Sequence, residues 1–138
     1  MTKFDASIPL RKRLNNALKI MILVSSKRAL DKISEILRSI TKKESVEKIV
    51  IVGTQDLIRE LGQVLSKKPF FDKMKVSLIV FKENYPEENA LKIMIKHGPD
   101  IIIDCDYSNS LYHLRELVGI GRKKVLKCDL ELIKDWFM

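Results

Sequence analysis

The residues Ile20-Met21-Ile22-Leu23-Val24 form an unbroken apolar run that stops abruptly at Ser25-Ser26. A strand with one solvated face alternates apolar and polar side chains, whereas a run this short and uniform belongs to a strand covered on both faces. Such a strand needs helices above and below it. The next residues supply the first: Leu30, Ile33, Ile36, Leu37 and Ile40 recur at helical spacing, opposite Lys32, Glu35, Arg38 and Ser39. Ser25 and Ser26 stand where they can cap that helix.

The same pattern recurs along the chain. Residues 48–52 read as a second strand, Gly53-Thr54 as a tight turn with a polar cap, and 55–65 as a helix with Leu57, Ile58, Leu61 and Leu65 on one face. Residues 75–81 read as a third strand, followed after Asn84-Tyr85-Pro86 by a helix that opens on Glu87 and Glu88 and ends at Gly98-Pro99. A fourth strand at 100–105, a helix at 111–118, a break at Gly119-Ile120-Gly121, a fifth strand at 124–128 and a terminal helix at 129–138 complete the chain. The first 16 residues, with Pro9 and the basic cluster Arg11, Lys12 and Arg13, read as a leader. Apolar strands joined by helical crossovers predict one α/β domain: a three-layer, Rossmann-like, mainly parallel sheet of about five strands with helices on both faces.

Composition fits that class and narrows the partners. At 138 residues, with 46% hydrophobic and 32% charged side chains, the chain has material for one core and a densely charged exterior. Abundant Lys, Glu and Ile resemble the bias of thermophile proteins. The formal charge of +8 attracts polyanions. No aromatic-interleaved basic motif stands out, so the expected nucleic-acid binding is weak and indifferent to sequence, with Arg11, Lys12, Arg13, Lys27 and Arg28 as its candidates. Cys105 and Cys128 lie in apolar, strand-like contexts and read as buried reduced thiols, which points to a reducing, cytoplasmic compartment. No apolar run approaches the roughly 20 residues of a membrane helix, and the N-terminal residues lack a signal-peptide pattern, so neither membrane nor secretion is expected.

In a parallel sheet of this kind, ligands settle outside the carboxyl ends of the strands. The turn Ser25-Ser26-Lys27-Arg28 offers an anion two hydroxyls, two cations and a helix N-terminus, although a simple serine cap accounts for the serines equally well. Asp106, Ser108 and Asn109 form the corresponding loop after the fourth strand. Asp104 and Asp106 should point to the same side, the arrangement of carboxylates that hold a divalent cation. Further ligands would have to come from Glu83, Asp129 or Asp56; the competing reading is an Asx-type turn through Asp106 and Asn109. Glycine-rich dinucleotide and P-loop motifs are absent, and His97 and His113, on different helices, read as solvent-facing or core-edge residues. No cofactor beyond that cation is implied, and no catalytic set can be assembled from spacing.

The succession of 20–24, Asp100-Ile101-Ile102-Ile103-Asp104-Cys105-Asp106-Tyr107-Ser108-Asn109 and Val125-Leu126-Lys127-Cys128-Asp129 resembles the DHH phosphoesterase superfamily, which includes the RecJ nucleases. It looks most like their inactivated relatives, among them the scaffold subunit of the replicative CMG helicase. Active members end the first strand in an Asp-rich motif and carry Asp-His-His on the final strand; here those places hold Ser25-Ser26-Lys27-Arg28 and Asp129-Leu130-Glu131, and one βα unit is additional. Only Asp104 and Asp129 carry over, too few for a two-metal hydrolase. The resemblance therefore implies a non-catalytic replication scaffold acting through protein partners.

Two other resemblances share the element order. The ligand-sensing Rossmann domain of CRISPR-associated proteins is similar, with the loops at 25–28 and 106–110 facing a cyclic oligonucleotide, although its Gly-Gly turn is missing. The Toprim fold resembles the chain in its Asp-x-Asp, matched by Asp104 and Asp106, but Gly53 stands near the place of its essential Glu. At the C-terminus, Leu130, Ile133, Trp136 and Phe137 line one side of a helical turn; Ile133 with Trp136-Phe137 resembles sliding-clamp-binding peptides, and the alternative is a helix that closes the core.

Overall fold

A computed structural model describes residues 18–68, 75–82, 84–106, 111–121 and 124–137. In chain order these form β1 (Leu18–Val24), a 3-10 turn (Lys27–Ala29), α1 (Leu30–Ile40), β2 (Val46–Gly53), α2 (Gln55–Ser66), β3 (Val76–Val80), α3 (Pro86–His97), β4 (Ile101–Cys105), α4 (Tyr112–Gly121), β5 (Lys124–Lys127) and α5 (Leu130–Trp136). The five strands make one sheet in the order β3-β2-β1-β4-β5, and every neighbouring pair is parallel. The expected three-layer α/β architecture is present.

The layers follow from the alternation of side chains along β1. Leu18, Ile20, Ile22 and Val24 join one core with α1, α2 and α5, while Met21 and Leu23 join the other with α3 and α4. Each fully buried Ile or Leu contributes roughly 1.5–3 kcal/mol of transfer free energy, so the central strand is the most heavily committed segment of the chain. The outer strands are covered less well: in β5 only Leu126 is buried and Val125 is 46% exposed, so the two-sided burial expected from apolar runs stops at the sheet edge.

α4 runs on through Gly119-Ile120 to Gly121, where a break was expected. Helical glycine costs about 1 kcal/mol relative to alanine, and Leu114 and Leu117, seated on the sheet, outweigh it. The cysteines also depart from expectation. Cys105 and Cys128 form a disulfide. β4 and β5 are in register at Asp104↔Lys127, so the next residues stand side by side on the same face, with Cα atoms 4.9 Å apart. A separation of 23 residues conceals that adjacency, and the inference from reduced thiols to a reducing compartment goes with it. No helix among the described residues is long and apolar enough to cross a membrane.

Two glycines test the packing in opposite directions. A Cβ on Gly53 would lie 2.7 Å from the Val24 carbonyl oxygen and 3.2 Å from Ile58 Cδ1, so only glycine lets α2 leave β2 this close to β1. Gly53→Ala is expected to lose about 1–3 kcal/mol in urea unfolding. Gly62, inside α2, would meet only Leu78 Cδ1 at 3.4 Å, and Gly62→Ala should gain about 0.5–1 kcal/mol in the same assay. For the disulfide, thiol titration of the denatured, unreduced chain should detect no free thiol, and the Cys105→Ala/Cys128→Ala variant should lose about 3 kcal/mol through the opened loop.

Candidate functional site

The helix after β1 lies on one face of the sheet and the helix after β4 on the other, so the strand order reverses between these two neighbours. This is where a parallel sheet opens a crevice at its carboxyl edge. Val24 pairs with Cys105, so Ser25–Arg28 and the loop that begins at Asp106 leave the sheet side by side. The residues that follow Val24 and Cys105 thus start from neighbouring positions at the carboxyl edge.

Their side chains are largely occupied in shaping the loops. Ser26 Oγ accepts the Arg28 amide at 3.2 Å and the Ser26 carbonyl accepts the Ala29 amide at 3.0 Å, which makes Ser26 the cap of the 3-10 turn. Lys27 Nζ reaches Glu60 on α2 at 3.5 Å, a solvated pair worth at most about 1 kcal/mol. Across the crevice, Asp104 and Asp106 do point to the same side, toward α4. Asp104 Oδ1 accepts the Asp106 amide at 3.0 Å, and its Oδ2 receives Arg115 Nη1 at 3.3 Å. Asp106, with its side chain fully buried, accepts the Leu111 amide at 2.8 Å and lies 3.7 Å from Arg115 Nη2. One guanidinium thus bridges both carboxylates, and Asp106 holds the start of α4.

Sequence reasoning missed Arg115. Its signal was its place next to Leu114 on a helix whose apolar side must cover the face that Asp104 occupies, but a lone Arg on a helix normally reads as solvated. Asp129 caps α5, its Oδ1 accepting the amides of Glu131 at 3.0 Å and Leu132 at 3.3 Å. Among the described residues, no three His, Cys, Asp or Glu side chains gather into a metal-binding group. Ser108, Asn109 and Glu83, like Arg11, Lys12 and Arg13, lie outside the described residues. Ile133 is fully buried, and Leu130, Trp136 and Phe137 pack against the same core, with the two aromatic rings edge to face at 5.3 Å. A shallow cleft of about 610 Å³ also opens beyond β2 and β3, lined by Thr54, Asp56, Phe81, Lys82, Asn84 and Tyr85; Thr54 stands at the α2 N-cap without using its side chain there.

No protein-family model matches the sequence, and no curated protein matches it. Function therefore has to be argued from the residues themselves.

His97 ends α3 at the far side of the sheet. It is 8% exposed, its Nδ1 has no partner, and burial, then Lys48, then Lys96 push its pKa below the ordinary 6.5. At pH above that value, His97 is neutral both folded and unfolded and contributes no pH dependence. As pH falls through it, the unfolded chain takes up a proton that the folded chain resists, so stability drops until the lower folded pKa is passed. The urea midpoint should fall between about pH 7.5 and pH 5.5, and His97→Gln should flatten that segment of the profile. An identical decline in the variant would assign the effect to other groups.

Proposed function

We propose that this chain is a non-catalytic factor of nucleic-acid metabolism that works by binding, through protein partners and a basic surface, as the resemblance to inactivated RecJ relatives implies. The observation that carries the reading is the state of Asp104. Both of its carboxylate oxygens are engaged, one by the Asp106 amide and one by Arg115. A cation at this strand end would have to share Asp104 with a guanidinium whose positive charge opposes it. Asp129, the other acid shared with the metal-binding pattern, is engaged as a helix cap.

The chain is expected not to cleave single-stranded DNA, RNA or dinucleotides with Mn²⁺, and Mn²⁺ should leave its melting temperature unchanged. Asp104→Asn should instead lower that temperature by several degrees, as Arg115 loses one of its two carboxylate partners. Mn²⁺-stimulated cleavage that disappears in Asp104→Ala would overturn the reading. A nucleotide-sensing role is the second reading, favoured by the side-by-side exit of the β1 and β4 loops at the crevice. A cyclic oligoadenylate at 100 times its Kd would then stabilise the chain by about 2.7 kcal/mol, and no thermal shift at saturation removes this alternative.

A further inference from the structure

Lysines gather at the end of the sheet opposite the crevice. Lys19 and Lys48 lie near the starts of β1 and β2 and are Cα partners across the two strands. Lys124 opens β5, its amide on the Asp100 carbonyl. The helices run back to this same edge, which places Lys42 and Lys43 just past α1 and Lys96 in the last turn of α3. All are exposed except Lys48, which is half-buried, and among the described residues none of the six forms an ion pair.

The acids at this edge do not balance them. Asp100 turns its carboxylate to the Lys19 backbone amide at 3.0 Å, leaving Glu44 and Glu47 in solvent. Lys75 differs from the six, because its ammonium donates to the Thr41 and Lys43 carbonyls and closes α1. A lysine at a helix C-terminus offsets the helix dipole, which accounts for Lys96 and contributes at Lys42 and Lys43. Lys19, Lys48 and Lys124 are on strands, whose dipoles are small, and two like charges on neighbouring strands cost stability. The buried His97 lies at the same edge, its pKa lowered first by burial and then by Lys48 and Lys96.

We propose that this lysine ridge is a nucleic-acid interface that grips the phosphates of a sugar-phosphate backbone without reading bases. The assignment rests on the nucleic-acid reading above and gives it a location that the sequence had placed elsewhere, at the leader and the first turn. From β5 to β2 the ridge spans three strand spacings, about 14 Å, the axial rise of about four base pairs.

Fluorescence anisotropy with a labelled mixed-sequence DNA duplex at several salt concentrations tests it. Lys19→Gln/Lys48→Gln/Lys96→Gln should bind more than tenfold more weakly at low salt, with the log–log salt slope flattened by about two to three. Lys96→Gln alone, at a solvated helix end that folding does not need, should flatten it by about one. Lys27→Gln/Lys82→Gln/Lys127→Gln removes the same charge at the opposite, crevice end of the sheet and should stay within about twofold of the parent. Equal losses in the two triple variants, or a ridge variant that binds like the parent, would overturn the ridge and leave the nucleic-acid reading standing. A parent chain that binds no duplex even at low salt would remove both.

Discussion

Everything in this fold depends on the burial of β1 from both sides. Its side chains alternate between two cores, so neither layer of helices can be dispensed with, and its neighbours on both sides are parallel strands reached by crossovers. The reversal of strand order between β1 and β4 follows from that arrangement. So does the crevice, because helices that depart to opposite faces leave the carboxyl ends between them uncovered.

At that crevice, the polar groups mainly build the loops. Asp104, Asp106 and Arg115 form a closed set in which two carboxylates close together are neutralised by one guanidinium and by backbone amides. Two such carboxylates left alone would repel each other, and the charge of Arg115 offsets that repulsion. The disulfide joins the ends of β4 and β5 directly behind this set, adding a covalent tie at the shortest strand.

Most of the architecture was legible in the chain because it rests on local periodicity. Residues 20–24 and 101–103 can satisfy their side chains only in two-faced strands, and Ile33, Ile36, Leu37 and Ile40 only in a helix that covers one of those faces. The misreadings share one cause. Gly119 and Gly121 suggested a break because local propensity was the only visible term, while the packing of Leu114 and Leu117 decided the outcome. The site was legible as a location, through the turns after the first and fourth strands, but not as a mechanism, because the role of Asp104 depends on a residue eleven positions away on another element.

The sequence by itself determined the class of fold, the succession of elements and the identity of the central strand, since apolar burial at periods of 2 and 3.6 is a property of neighbours along the chain. Only the tertiary structure decided that Cys105 meets Cys128, that Arg115 neutralises the acidic pair, and that lysines scattered from residue 19 to residue 124 come together at one edge. Those outcomes depend on strand order and register, which bring together residues that no local pattern relates, and electrostatic and covalent partners are chosen by distance in space.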